Sequence, residues 1–215
     1  MRKFYRLFLL ALASLGLFAC QPQRITETMA HSGDILFWDD FSGLEGGWER
    51  SSDEVGTLDY NGGGFRIWVN RPDYDLWTTP SRTFSDVRIE VDSAHIGGPD
   101  ENRFGLICRY RDAENFYFFI ISSDGYYAIG KVKEGLRTLL SQTMMAFNPA
   151  IVMGIAANHL RADCLADALM FYINGLPVAA VQDTDLVTGD VGLLAGAFDT
   201  PGVDVLFDNF VVIKP

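Results

Sequence analysis

Apolar and polar residues alternate along much of this 215-residue chain. In Phe84–His95, for example, valine and isoleucine occupy alternate positions and charged residues fill the positions between them. Because successive side chains of a strand point to opposite faces of a sheet, this pattern predicts a half-buried β-strand. Similar segments recur at intervals of roughly 8–12 residues, which is typical of an all-β sandwich or barrel. Two dipeptides, Asp124-Gly125 and Asn174-Gly175, predict type I′ hairpin turns. The predicted strands are Ile35–Phe41, Gly56–Asn61, Gly64–Asn70, Leu76–Thr79, Phe84–His95, Arg103–Arg111, Asn115–Ser122, Tyr126–Val132, Leu136–Gln142, Ala150–Ala157, Leu160–Leu165, Leu169–Ile173, Pro177–Gln182, Gly189–Ala195 and Val203–Ile213.

Three of these strands lie in the segment Asn102–Val132, which reads as the centre of the domain. A hairpin turn at residues 112–114 would place Arg109 opposite Tyr117. Side-chain alternation then assigns one face of the first two strands to the core, because that face is almost wholly apolar. The residues predicted for the core face are Phe104, Leu106, Cys108, Tyr110, Phe116, Phe118 and Ile120.

The opposite face of the same strands combines two arginines, aromatic surface and a glycine. Arg103, Arg109 and Tyr117 lie there beside Gly105, which has no side chain to fill the space between them. This composition predicts a shallow groove that binds a ligand. The alternative is a half-solvated sheet face on which the arginines extend their charged ends into water.

The N-terminus carries an export signal. Met1–Arg6 is basic, and Leu7–Phe18 is an apolar run too short to span a bilayer. Leu17–Cys20 resembles the bacterial lipobox, in which cleavage precedes a cysteine that becomes lipidated, although Phe18 is larger than is usual there. The resemblance implies a mature protein that begins at Cys20 and is held on the membrane by acyl chains. The alternative is an ordinary secretory signal peptide.

These signals predict three parts: a signal peptide at residues 1–19, a flexible tether at 20–33 and a β-sandwich domain at 34–215. The signal peptide has three basic and no acidic residues, so its removal would change the net charge from −11 to −14. Such an acidic surface repels nucleic acid and anionic membranes. A hydrophobic content of 48% argues against disorder.

Export also affects the interpretation of the two remaining cysteines, Cys108 and Cys164. Both lie in predicted strands on the core side, and the compartment outside the cytoplasm is oxidising. We therefore predict a disulfide between them. The alternative is two separate buried thiols, and no pair of histidines nearby favours a zinc site.

A wider resemblance covers roughly Ile35–Ile213 and is carried by sequence segments rather than by a catalytic motif. The segments RFGLICRYRDAENFYFFIISSDGYYAIGKV, LRADC, LMFYINGLPV, GDVGLLAG and FDNFVV resemble the concanavalin A-like lectin and glucanase jelly roll. Exported bacterial domains of the DUF1080 and laminin-G-like kinds are similar. The resemblance implies two curved antiparallel sheets, with glycans often bound on the concave face.

Glucanases of this fold typically carry a Glu-x-Asp-x-x-Glu strand, and the chain matches it only in part. Glu90 and Asp92 supply the first two acids, but His95 occupies the third position. Hydrolysis of a glycosidic bond uses two carboxyl groups. Glu90 and Asp92 are therefore weak catalytic candidates, and the alternative is a cross-strand ion pair with Arg103 or Arg109.

Two further sets of residues are candidates for binding. Trp77 and Tyr74, close to Arg71-Pro72-Asp73, could stack on sugar rings, or could instead cover the core. Acidic residues of the first and last strands would meet if those strands are neighbours, as the resemblance implies. A structural calcium ion would then take oxygen ligands from Asp39, Asp40 and Asp208; alternatively, these carboxylates cap turns or stay solvated.

The sequence therefore predicts a surface-anchored lipoprotein that binds a glycan without transforming it. The ligand-binding residues would be Arg103, Arg109, Tyr117, Trp77 and Tyr74. A glycoside hydrolase acting in the same groove on a polysaccharide or disaccharide derivative is the first alternative. A structural or protein-interaction domain at the cell surface is the second.

Overall fold

The structure is a computed structural model that describes residues 29–215. Sixteen strands occupy these residues, and none of the described helical turns is long and apolar enough to cross a membrane. The strands are β1 (Ile35–Asp39), β2 (Ser51–Ser52), β3 (Gly56–Asn61), β4 (Gly64–Val69), β5 (Tyr74–Thr78), β6 (Val87–Gly97), β7 (Asn102–Asp112), β8 (Asn115–Ile121), β9 (Tyr126–Lys133), β10 (Leu136–Leu139), β11 (Ala146–Phe147), β12 (Ala157–Leu165), β13 (Ala168–Ile173), β14 (Leu176–Gln182), β15 (Asp190–Ala197) and β16 (Val203–Ile213).

The strands form two antiparallel sheets. The nine-stranded sheet has the order β14-β13-β12-β6-β16-β4-β3-β2, with β1 paired to β16. The seven-stranded sheet has the order β10-β9-β8-β7-β15-β5, with β11 paired to β9. Alternate residues of both sheets point inward and form one core, in which Phe65, Phe119 and Phe207 are fully buried. The predicted all-β, two-sheet antiparallel sandwich is therefore confirmed.

The register of the central hairpin differs from the prediction by one residue. Cys108, not Arg109, lies opposite Tyr117, because the ladder between β7 and β8 shifts between Cys108 and Asp112. Arg109 adopts a φ of 53° at this bulge. A one-residue slip exchanges the two faces of β8.

The core therefore receives a different set of aromatic residues from the predicted one. Tyr117, Phe119 and Ile121 face the core with Phe104, Leu106 and Cys108. The residues predicted for that position on β8 form a second apolar cluster on the outer face of the seven-stranded sheet. That cluster consists of Ile107, Phe116, Phe118, Ile120, Ala128, Val132 and Leu194, with Trp77, Tyr110, Leu139 and Met145 packed against it.

Of the two predicted type I′ turns, only the one at Asn174-Gly175 has the required backbone angles. Asn174 and Gly175 have φ values of 51° and 81°, as a type I′ turn requires, whereas at Asp124-Gly125 only Gly125 has a positive φ. The predicted strand Ala150–Ala157 is wrong, because β12 begins only at Ala157, and Val152, Met153 and Ile155 before it are exposed.

A disulfide joins Cys108 on β7 to Cys164 on β12, with their Cα atoms 6.9 Å apart. The two strands belong to different sheets, so the bridge crosses the core. Both cysteines are fully buried, as predicted for the core side.

A buried polar network anchors the segment between β14 and β15. The Tyr117 hydroxyl donates to Asp183 Oδ1 at 2.6 Å and accepts from the backbone N–H of Leu186 at 3.1 Å. Lys131 Nζ donates to Asp183 Oδ2 at 2.5 Å. Burial, together with the hydrogen bond to the Asp183 carboxylate, raises the pKa of Tyr117 to about 12.

Replacing Cys108 and Cys164 together with alanine should lower the free energy of unfolding. The bridge links positions 56 residues apart, and the chain entropy it removes from the unfolded state corresponds to about 4 kcal/mol. Urea unfolding of the double variant and of the parent, followed by tryptophan fluorescence, measures the difference. Equal midpoints in oxidised parent and variant would contradict the stabilising role of the bridge.

Replacing Tyr117 with phenylalanine should make stability less sensitive to alkaline pH. A tyrosine pKa raised from 10.0 to about 12 favours folding below pH 10, and this contribution is lost as the pH rises from about 10 to 12. The loss amounts to about 2–3 kcal/mol across that window. Unfolding free energies measured between pH 8 and 11 should fall less steeply for Y117F than for the parent. Identical slopes would contradict the raised pKa of Tyr117 in the folded protein.

Candidate functional site

A cleft of 610 Å³ lies on the outer face of the seven-stranded sheet, where β7 begins and β15 ends. This volume is within the range of small-molecule binding sites. The cleft combines charged side chains with an apolar floor and walls. It is lined by Asp73, Asp75, Arg103, Ile120, Arg137, Leu139, Thr143, Met145 and Phe198.

Asp75 is the central polar group of this cleft, and two arginines hold it. Arg103 Nε donates to Asp75 Oδ1 at 2.5 Å, and Arg137 Nη2 donates to Asp75 Oδ2. The Asp75 side chain is 7% exposed, whereas that of Arg137 is 38% exposed. Charge-assisted hydrogen bonds of this kind fix both guanidinium planes as well as the carboxylate.

Aromatic rings and a glycine complete the arrangement. The Arg103 guanidinium lies 4.4 Å from the centre of the Phe198 ring, and that of Arg137 lies 4.9 Å from the Phe118 ring. Gly196 of β15 pairs with Asp75 of β5. A Cβ atom at Gly196 would lie 1.8 Å from Asp75 Oδ1, so only glycine leaves room for the ion pair.

A second, smaller cleft of 280 Å³ adjoins the first, because Asp75 lines both. Its other lining residues are Glu49, Tyr74, Leu76, Trp77 and Tyr110. Trp77 Nε1 donates to the Tyr110 hydroxyl at 3.3 Å, and both rings lie 5.7 Å from the ring of Phe116, centre to centre. Phe116 is only 1% exposed, so these two rings cover it and are held in place by it.

Three of the five predicted ligand-binding residues lie in these two clefts. Arg103 is in the first, and Trp77 and Tyr74 are in the second. Arg109 and Tyr117 are not in either, which corrects their predicted place in the groove. The bulge turns Arg109 into the interior, where its side chain is 1% exposed and Nη1 donates to the Leu186 carbonyl at 2.8 Å, while Tyr117 is in the core.

Glu90 and Asp92 are in the other sheet, so the prediction that they neighbour Arg103 or Arg109 is wrong. They lie on β6 of the nine-stranded sheet, and His159 of β12 contacts both. Its Nδ1 is 2.8 Å from Asp92 Oδ1 and its Nε2 is 3.4 Å from Glu90 Oε2. The two carboxylates therefore form a surface network with a histidine rather than part of the cleft.

The three predicted calcium ligands do not converge. β1 does pair with β16, as expected, but Asp39 lies opposite Phe210 and faces Trp48, whose Nε1 donates to its carboxylate at 2.8 Å. Asp208 instead lies opposite Asp92. Within residues 29–215, no group of three or more His, Cys, Asp or Glu side chains is placed to hold a metal ion. Calcium binding stays a prediction, but Asp39, Asp40 and Asp208 do not form one site for it.

Asp39 and Asp40 line a different cleft, of 470 Å³, beside β1. Its acidic groups already have partners. Asp39 accepts hydrogen bonds from Trp48 and from the backbone of Phe41, and Asp40 accepts two from Ser42. We therefore regard this cleft as a consequence of how the loop after β1 packs.

The sequence reasoning missed Asp75, Arg137, Met145 and Phe198. Asp75 could have been found, because alternation along β5 places it on the same face as Trp77. The other three lie far from it in the chain: Arg137 is 62 positions from Asp75. No local pattern connects such distant residues.

No protein-family model and no curated protein matches the chain. Solved structures do match it. The carbohydrate-binding module CBM66 from Bacillus subtilis aligns with a TM-score of 0.63 and 21% identity over 78% of this chain and 95% of its own. A protein of unknown function with a galectin-like fold, also from Bacillus subtilis, gives 0.65 and 13% over 86% and 97%.

A β-glucanase from Bacillus licheniformis is similar too, with a TM-score of 0.59 and 10% identity over 83% of this chain and 97% of its own. All three identities are low, so the likeness concerns the fold alone. Together with the two antiparallel sheets, these likenesses show that the chain has the predicted concanavalin A-like jelly-roll fold.

Proposed function

We propose that this domain binds a glycan, without cleaving it, in the cleft built around Asp75, Arg103 and Arg137. The observation that carries the proposal is the fixed Arg–Asp–Arg arrangement over an apolar floor in a cleft of 610 Å³.

The cleft matches both kinds of surface that a sugar ring offers. Hydroxyl groups of a sugar accept hydrogen bonds from guanidinium N–H groups and donate to carboxylate oxygens. The C–H face of the ring packs on apolar side chains, which Phe198, Met145 and Leu139 supply. Because Asp75 already orients both guanidinium groups, binding costs little further ordering.

The structural likeness to a carbohydrate-binding module and to a β-glucanase supports a carbohydrate ligand. Fold similarity does not choose between binding and hydrolysis; the positions of the carboxylates support binding. A glycosidase needs one carboxyl group as acid and a second as nucleophile or base. Two carboxylates line the cleft, Asp73 and Asp75, and both oxygens of Asp75 are engaged by arginines. Glu90 and Asp92 lie in the other sheet.

A glycan array probed with the full-length protein should identify a bound glycan, and Arg137→Gln should weaken that binding about tenfold or more. The expected loss is that of one charge-assisted hydrogen bond. Arg137 is partly exposed, so the variant should keep the parent's thermal midpoint to within a few degrees.

Arg50→Gln is the matched control. Arg50 also pairs with an aspartate, Asp59, at 2.6 Å and also lies over an aromatic ring, that of Tyr60, but it precedes β2 in the other sheet. It should bind glycan like the parent. Equal losses in both variants would contradict the proposed site. Release of shorter sugars from the bound glycan, detected by chromatography, would show catalysis and contradict the binding-only function.

We further propose that the mature protein is a lipoprotein anchored at Cys20 and exported to the cell envelope, with the domain facing outward. Cys20 and the apolar segment before it lie outside the described residues, so the support is the sequence pattern alone. Membrane anchorage through two acyl chains would be stable.

Mass spectrometry of the purified native protein should find Cys20 as the first residue, carrying diacylglycerol. Cys20→Ala should release the protein from the membrane fraction. An unmodified N-terminus at any other residue would contradict the lipid anchor and favour an ordinary secretory signal peptide.

A further inference from the structure

The cleft around Asp75, Arg103 and Arg137, here called the arginine cleft, adjoins the second cleft at the edge strand β5, because Asp75 lines both. We propose that the ligand is an oligosaccharide: one sugar unit is held in the arginine cleft and the next one stacks on Trp77 in the second cleft. This inference rests on the proposed function and adds the minimum length of the ligand.

The two clefts differ in the chemistry that they offer. The arginine cleft presents two guanidinium groups and two carboxylates. The second cleft presents the rings of Trp77, Tyr110 and Tyr74. Hydrogen-bonding groups hold one unit in a defined orientation, and an aromatic face contributes apolar contact area with the next. A single sugar occupies only one of these environments.

The aromatic groups of the second cleft are held in position before any ligand binds. Trp77 and Tyr110 are joined by a hydrogen bond and pack on the buried ring of Phe116. Tyr74 begins β5 and is 36% exposed, with the Arg71 guanidinium 5.0 Å from its ring centre. Rigid rings of this kind bind with a small entropic cost.

The position of β5 gives the ligand room to extend. β5 is the terminal strand of the seven-stranded sheet, so the second cleft opens at the edge of that sheet. Leu76, which packs against the core between the sheets, is also among its lining residues. No strand of the seven-stranded sheet lies beyond β5. A sugar chain that enters the arginine cleft can therefore extend past Asp75 and over β5.

The test measures Kd against chain length by isothermal titration calorimetry. The probes are ladders of one to six sugar units from the glucan, xylan, mannan, galactan and fructan series, and the protein is the full-length chain. For the series that binds, the parent should bind the disaccharide about tenfold more tightly than the monosaccharide, as one stacked ring contributes. In Trp77→Leu, which keeps an apolar cover over Phe116, this ratio should fall to between one and three. In Arg137→Gln all lengths should weaken by a similar factor.

Tyr74→Ala is a second variant in case Trp77→Leu lowers the thermal midpoint, and it should also reduce the ratio. Trp38→Leu is the matched control, because Trp38 is 55% exposed on β1 of the other sheet; it should keep the parent's ratio. A parent affinity that is independent of chain length overturns the inference while leaving glycan binding intact. The inference is also overturned if the ratio of monosaccharide Kd to disaccharide Kd is the same in Trp77→Leu, Tyr74→Ala and the parent. Failure of every ladder and of the array to bind contradicts the proposed function itself.

Discussion

The bulge at Arg109 determines which side chains of β8 face the core between the two sheets. Its one-residue shift turns Tyr117 rather than Phe118 toward the core, opposite Cys108. Cys108, which precedes the bulge, keeps its predicted place on the core side, where the disulfide to β12 of the other sheet forms. The same shift buries the Arg109 guanidinium against the Leu186 carbonyl and places the Tyr117 hydroxyl against Asp183. One irregular backbone position thus connects the core, the covalent bridge and the segment before β15.

The bulge also explains why the candidate site is not where alternation placed it. With Phe116 and Phe118 turned outward, the middle of the seven-stranded sheet's outer face is filled by apolar side chains of its own. The space that remains lies at its rim, beside Asp75. There the geometry depends on a residue that contributes no side chain, since any Cβ at Gly196 would displace the Asp75 carboxylate from Arg103.

Much of the fold could be read from the sequence, because alternation and turn chemistry are local. The strand β6, the Asn174-Gly175 turn and the inward direction of both cysteines follow from such patterns. Which of the two sheets a strand joins does not follow from local patterns. Residues 98–101 resemble a hairpin turn, yet they carry the chain from β6 in one sheet to β7 in the other. Glu90 and Arg103 are therefore predicted to be on neighbouring strands but lie in different sheets. An ion pair such as Arg137–Asp75 depends on the completed sheet and has no local signature.

The two ends of the described chain lie side by side. Ile35 pairs with Ile213, and Gly33 and Asp34 exchange backbone hydrogen bonds with Lys214. Along β16 the ladder with β6 runs from Ile213 beside Arg88 to Asp204 beside Gly97, just before β7 and the arginine cleft begin. The arginine cleft and Ile35, where β1 begins, therefore lie toward opposite ends of β6. A force applied between the arginine cleft and Ile35 would pull β1 lengthwise along β16, across hydrogen bonds that lie perpendicular to the strands. These bonds would be loaded in shear and would have to break together rather than one after another.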